Sequence, residues 1–277
     1  MKITVIIPLY NKEHYIKDTI KSVLSQTYTN WEAIIIDDGS TDKSAQITQS
    51  FCDSRIRFFR QTNQGVSKTR NRGIELSLGD YIAFLDADDK WKPNYLETML
   101  KLTEEYPDYS VFCSAHDGHY IHSLPVGVSI IKDHCKFPFI FWTGCMFIKR
   151  SVFKEIGGFR EGIQLGEDRD MWLRIACKYP TIYLNKELAY HPYITENNLN
   201  RTIDIINSFP YWEWYDYSYP YKKSLYQYTT IRLVSCADTL IKQKRYADAW
   251  FFLKKTRGHT TLRPRIKLFF KILLKKS

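Results

Sequence analysis

Three carboxylates within four positions, Asp86, Asp88 and Asp89, follow directly on the apolar run Tyr81-Ile82-Ala83-Phe84-Leu85. A buried strand that ends in clustered acids is costly unless positive charge meets them. Asp86 and Asp88 stand two apart with a small Ala87 between them, so at a strand end they project to the same side. Two oxygen ligands so placed suit Mg²⁺ or Mn²⁺, which completes its shell with waters and a substrate's phosphates. The same acids before Lys90-Trp91-Lys92-Pro93 also read as a turn whose last Asp caps a helix. A second acidic group, Glu167-Asp168 with Asp170, opens another helical pattern, where acids complement a helix N-terminus. His116, His119 and His122 are spaced three apart beside Asp117. On a helix they would align as zinc ligands, but Gly118 and Pro125 oppose a helix, and a polar loop is expected.

These groups need a scaffold, and the periodicity supplies one. Residues 3–9 read as a buried strand. Lys12 to Gln26 is an amphipathic helix through Tyr15, Ile16, Ile20, Val23 and Leu24, with Asn11 as its cap. Trp31–Ile36 is a second strand ending on Asp37-Asp38-Gly39-Ser40. Residues 44–52 form a helix and 56–59 a third strand. Asn63-Gln64-Gly65 is a turn before a helix over 66–78, and Tyr81–Leu85 is a fourth strand. Strands alternating with helices imply βαβ units and a largely parallel sheet, with ligands beyond the carboxyl ends of the strands. Asn11, Asp37/Asp38 and Asp86/Asp88 all fall at those ends. Further on, the pattern gives a helix over 95–106, a strand over 111–114 and a loop or short hairpin over 115–136. A strand pair around Thr143-Gly144, a helix over 151–156, a helix over 166–178 and a strand over 182–190 follow. From Tyr221 onward the chain reads as helical.

The bulk properties narrow the function. With 277 residues and 44% hydrophobic content, the chain fills one large domain, or one domain with an appendage. Six scattered cysteines without a Cys-x-x-Cys favour reduced thiols and a cytosolic address. The N-terminal run, broken by Pro8, reads as a strand rather than a signal peptide, and no stretch approaches the roughly 20 apolar residues that span a bilayer. The net charge of +10 is concentrated: residues 222–277 hold 15 Lys/Arg against two acids, whereas the first 221 hold 25 against 28. A nucleic-acid-binding fold carries its charge on the recognition surface, so that class is disfavoured. A nucleotidyltransferase needs a Gly-rich phosphate loop after the first strand, and Pro8-Leu9-Tyr10-Asn11 is not one.

In order along the chain stand Ile6-Ile7-Pro8-Leu9-Tyr10-Asn11, Asp37-Asp38-Gly39-Ser40, and Asn63-Gln64-Gly65 with Arg70-Asn71-Arg72-Gly73. Phe84-Leu85-Asp86-Ala87-Asp88-Asp89 and Glu167-Asp168 complete the set. Together they resemble a family-2 inverting glycosyltransferase with the GT-A fold, over about residues 1–195. The resemblance implies an α/β fold: a Rossmann-like, mostly parallel mixed sheet flanked by helices. It divides the chain into a catalytic domain over 1–200 and a helical basic extension over 201–277. It also implies a nucleotide-sugar donor, with UDP-glucose or UDP-galactose as the best guess, and Mn²⁺ or Mg²⁺ as cofactor.

By the same resemblance, Asp38 holds the uracil edge, since a carboxylate accepts from N3–H. Pro8, Tyr10 and Arg70 line the nucleotide-sugar pocket. Asp86 meets the ribose directly or through the metal, and Asp88 ligates the metal on the donor diphosphate. Asp89 reads as a helix cap or a second ligand, with the cap favoured, and His191, followed by Pro192, stands near where some relatives use a third ligand. Inversion at the anomeric carbon requires a base opposite the leaving group, and the resemblance gives that part to Asp168, with Glu167 orienting the acceptor. Trp142 stands where a sugar platform or plain core packing is expected.

Residues 263–276 place Ile266, Phe269, Phe270 and Leu273 on one helical side and Lys267, Lys271 and Lys275 on another. This is the pattern of a helix in an anionic membrane interface. The expectation is a peripheral enzyme on the cytoplasmic face of a bacterial inner membrane, glycosylating a lipid-linked saccharide in O-antigen or other surface-polysaccharide synthesis. A lipooligosaccharide or capsule acceptor, and a non-catalytic nucleotide-sugar-binding relative, are the alternatives.

Overall fold

The computed structural model describes residues 1–191, except 118, 120, 138, 139, 164 and 165, and residues 220–255. Four parallel strands form the first half of the sheet: β1 (Ile3–Leu9), β2 (Trp31–Asp37), β3 (Ile56–Arg60) and β4 (Tyr81–Phe84). Every residue of β1 and β2 is buried, because helices cover both faces of the sheet. The crossovers are α1 (Ile16–Leu24), α2 (Ser44–Gln49) and α3 (Val66–Leu76). Helix α3 approaches β1 so closely that a Cβ on Gly73 would come within 2.5 Å of Ile6.

The second half is mixed. After β5 (Lys90–Trp91) and α4 (Tyr95–Glu105) come β6 (Val111–His116), β7 (Val128–Ile131) and β8 (Met146–Lys149). Then follow α5 (Ser151–Ile156), α6 (Glu167–Lys178) and β9 (Thr181–Tyr190). The sheet runs β3-β2-β1-β4-β8-β6-β9-β5, with β7 also on β9. Strand β8 is antiparallel to both β4 and β6, while β6 runs parallel to β9. The pleat of β6 is broken by register shifts at Ala115 and His116, which end the strand beside the site. Phe84 packs against Phe153, Phe159 and Trp172, so the core ties β4 to α5 and α6.

Beyond residue 219 the described chain is a helical hairpin, α7 (Lys222–Lys242) and α8 (Tyr246–Lys255), with its own small core around Leu233, Leu240 and Phe252. Helix α7 also packs on the sheet-bearing part of the chain, where Leu225 and Tyr228 meet Cys135 and Leu173. The basic helix predicted over 263–276 and the boundary predicted at 200/201 lie outside the described residues. Among the described residues, no helix is long and apolar enough to cross a membrane.

Three local expectations are corrected and a fourth is met. Helix α1 starts at Ile16, four residues later than a cap at Asn11 would give, and Asn11 instead takes a positive φ of 51°. Its Oδ1 accepts from the Thr41 amide and its own amide donates to Ser40, joining the β1 and β2 loops. The strand pair around Thr143-Gly144 is a 3₁₀ turn over Thr143–Cys145 that leads into β8 alone. Asp89 is not a helix cap, since α4 begins six residues on, at Tyr95. The His116–His119 region is a strand end and turn, not a helix, as expected from Gly118 and Pro125.

Candidate active site

The carboxyl ends of β1, β2 and β4 open into a cavity of about 1050 Å³. It collects Pro8, Tyr10, Asp38, Arg70, Asp86 and Asp88, six of the predicted residues drawn from four separated motifs. The parallel register places them there: Leu9 pairs with Asp37 and Ile6 with Phe84, so the three loops leave the sheet at one level. Tyr10 presents a half-exposed ring at the mouth.

Asp37 and Asp38 have different partners. Asp37 is fully buried, accepts from the Ser40 amide and pairs with Arg60 at 3.1 Å, so it holds the loop. Asp38 faces the cavity and organises the neighbouring turn, accepting from Gln61 Nε2 and from the amides of Gln64 and Gly65 at 2.8–2.9 Å. Gly65 adopts φ 88°, a left-handed conformation that favours glycine and that turns its amide toward Asp38. The Asn63-Gln64-Gly65 motif therefore works with Asp38.

Arg70 joins the two acidic clusters. It is 3% exposed, and its guanidinium donates to Asp86 Oδ1 at 2.7 Å and to Glu167 Oε1 at 2.9 Å. Burial disfavours its charge, but Asp86 and Glu167 outweigh that and raise its pKa. Burial likewise pushes the Glu167 pKa up, against the pull of Arg70. Glu167 thus lies in the large cavity beside Asp86. The expected Glu167–Asp168 pair is split: Asp168 lines a second cavity of about 270 Å³ with His116, His119, Trp172 and Tyr228. Trp142 borders both cavities. Its ring lies 3.7 Å from that of His116 and 5.8 Å from that of His191.

Neither Lys12 nor the pairing of Asp89 with His191 is legible in the sequence. Lys12 Nζ lies 2.5 Å from Asp88 Oδ2, which gives Asp88 its own cation. Asp89, 3% exposed, lies 2.5 Å from His191 Nδ1. Burial lifts the Asp89 pKa to about 7 even with His191 beside it, and Asp86 and Asp88 push the same way. The hydrogen bond to Asp89 in turn raises the pKa of His191. Ligand atoms of Asp88, Asp89 and His191 all fall within 4.8 Å of one another. Two carboxylates and an imidazole, with one carboxyl made costly to ionise by burial, are a donor set that a divalent cation fits. Among the described residues this is the one such cluster, and His116, His119 and His122 form none. His116 is instead kept neutral, its pKa lowered to about 3 by burial and by His119.

The model of the family described as "Glycosyl transferase family 2" matches residues 4–157. An uncharacterized glycosyltransferase of Rickettsia conorii is 38% identical over 199 residues, covering 68% of this chain and 32% of that protein. A Bacillus subtilis protein named as a teichuronic acid biosynthesis glycosyltransferase, TuaG, is 44% identical over 106 residues, covering 37% of this chain and 42% of that one. The chain thus spans about a third of the length of the rickettsial relative. Among solved structures, residues 1–349 of S. aureus TarS, in complex with UDP-GlcNAc, superpose with a TM-score of 0.65. That match is 19% identical and covers 84% of this chain and 66% of TarS 1–349, a likeness of fold.

Proposed function

The chain belongs to glycosyl transferase family 2 and has the GT-A fold; from that premise we propose that it is an inverting, metal-dependent transferase. In this reading it moves a hexose from a UDP-sugar, UDP-glucose or UDP-galactose, to a hydroxyl of a lipid-linked saccharide in bacterial surface-polysaccharide synthesis. The observation that carries the proposal is the adjacency of the two cavities. One gathers Tyr10, Asp38, Arg70, Asp86 and Asp88, and the other holds Asp168 across Trp142. The likeness to TuaG, named for teichuronic acid biosynthesis, and to TarS in complex with UDP-GlcNAc supports the polysaccharide and the nucleotide-sugar parts of the reading.

In the proposed mechanism Asp38 accepts the uracil N3–H with a lone pair left free by its turn contacts, and Tyr10 stacks on the base. Arg70 holds Asp86 toward the ribose and fixes Glu167, hence the first turn of α6 and Asp168. Asp88, Asp89 and His191 are the residues that would hold the cation, with Mn²⁺ favoured over Mg²⁺ by the imidazole. A bound cation supplies charge neutralisation as the diphosphate leaves. Lys12 is placed to meet the same phosphates. Asp168 takes the proton of the acceptor hydroxyl while the acceptor oxygen bonds to the anomeric carbon and the bond from that carbon to UDP breaks. Trp142 offers its ring to the acceptor sugar.

The division into a catalytic domain over 1–200 and an extension over 201–277 is part of this proposal, as is membrane contact through the basic extension. The cation excess of residues 222–277 supports attraction to an anionic leaflet at the cytoplasmic face. A thermal-shift and turnover screen of nucleotide sugars, with and without Mn²⁺, tests the function. A UDP-hexose is expected to raise the unfolding temperature more with Mn²⁺ and to release UDP. Protection without turnover on any acceptor supports the non-catalytic alternative, and no response to any UDP-sugar refutes the donor class.

A further inference from the structure

The family match ends at residue 157, yet a helix 65 residues further on reaches the smaller cavity. Helix α7 is held against the catalytic part by a specific seam. Ser224 Oγ lies 2.6 and 2.7 Å from the two carboxylate oxygens of the buried Asp133. Leu225, the next residue, and Tyr228, one turn on, pack with Cys135 and Leu173. Leu173 belongs to α6, the helix whose first turn carries Asp168. The seam therefore fixes α7 relative to the proposed base.

Ser224 and Tyr228 are four residues apart and share a face of α7. Tyr228 is 7% exposed, and what remains borders the cavity that Asp168, Trp142 and His116 also line. Among the described residues, two buried ring nitrogens of lining side chains, His116 Nδ1 and Trp172 Nε1, have no partner. Buried polar atoms are seldom left so, since each costs about 1–3 kcal/mol. Aromatic walls beside a carboxylate suit a pyranose ring, whose C–H faces meet the rings and whose hydroxyls donate to Asp168.

We infer that Tyr228 of α7 is a specificity-determining wall of the acceptor cavity, and that a saccharide ring binds against it. This rests on the proposed function, which puts the acceptor beside Asp168. The extension is then a working part of the site as well as a basic surface. Among the described residues of the extension, Ser224, Leu225 and Tyr228 form the seam that carries this role.

The test compares full-length Tyr228→Ala, Tyr228→Leu and Tyr228→Phe with the wild type, using the UDP-sugar found by the screen and a panel of aryl mono- and disaccharide glycosides. The readouts are acceptor KM, donor KM, donor hydrolysis without acceptor, and unfolding temperature. The Ala and Leu variants are expected to raise acceptor KM at least tenfold with donor KM and donor hydrolysis unchanged, and Phe to stay within about threefold. Leu keeps apolar volume in the seam, so it still reports if Ala fails to fold. Unchanged acceptor KM in Ala or Leu overturns the inference, as does a parallel rise in donor KM. A wild type that turns over no nucleotide sugar brings down the parent reading, whereas a working wild type with an indifferent Tyr228 brings down this inference alone.

Discussion

Arg70→Met is the most informative perturbation of the site, because one guanidinium neutralises carboxylates from two distant parts of the chain. Removing one partner of a buried ion pair costs about 3–5 kcal/mol, mostly through the charge left behind. Here two acids are left behind, Asp86 and Glu167. The Asp86 side chain is 31% exposed, so water screens that arm, while the Glu167 side chain is 15% exposed and bears most of the loss. The lower end, about 3 kcal/mol, is therefore expected. At about 2–4 °C per kcal/mol for a chain of this size, the unfolding temperature falls by about 6–12 °C. Arg70→Lys recovers only part, since an ammonium lacks the planar fork that serves both carboxylates. The assay is scanning calorimetry on Arg70→Met, Glu167→Gln and the double variant. If the buried charge is the cause, Glu167→Gln in the Arg70→Met background restores stability, a coupling of about 1–2 kcal/mol in the cycle. A drop under about 2 °C, or strict additivity, refutes the reasoning.

Three further outcomes are expected. Asp88→Ala should abolish transfer and the Mn²⁺-dependent gain in UDP affinity while leaving metal-free UDP binding within about threefold; calorimetric titration that still shows full metal enhancement sinks Asp88 as a ligand. Asp168→Asn should leave UDP-sugar affinity and unfolding temperature nearly intact and lower turnover by about 10²–10⁴. Asp170→Asn, by contrast, should lower the unfolding temperature, because Asp170 is buried against Arg160 and Arg174 at 2.8 and 2.9 Å; an active Asp168→Asn shows that the proton goes elsewhere. Burial of Glu32 opposes its ionisation, but bonds from the Leu78 amide, Thr4 and Arg57 prevail and lower its pKa below the ordinary 4.5. The lowered folded-state value means that its stabilisation is present above about pH 4.5 and lost as the pH falls below it. Glu32→Gln should then flatten the acid side of the stability profile, and an unchanged slope counts against that assignment.

Much of this site is legible in one dimension because a parallel sheet puts all its strand ends at one edge. Alternating apolar runs and helical patterns determine the βαβ units, and a polar residue directly after an apolar strand must then face the ligand side. That reasoning reaches Asn11, Asp37, Asp38, Asp86 and Asp88, and the resemblance to the family adds Pro8, Tyr10 and Arg70.

Tertiary structure decided what depends on contacts across long separations. Asp89 reads locally as a cap, and only the return of β9 brings His191 to it from 102 positions away. Glu167 and Asp168 are adjacent in sequence, but successive residues on a helix point about 100° apart, so one joins Arg70 and the other lines the second cavity. Lys12 has no local signal, since a lysine after a strand is ordinarily a solvated charge; the left-handed Asn11 belongs to the loop that sets it beside Asp88. Tyr228 is invisible to periodicity for the same reason: a buried aromatic on a helix face reads as packing, and only the docking of α7 on α6 makes it a wall of the cavity. The sequence by itself determined the sheet, its ligand edge and the acids along it, because those follow from local periodicity. Which acid meets which cation, and what closes the second cavity, were decided by the folded chain, because pairing depends on distances between segments that no local pattern encodes.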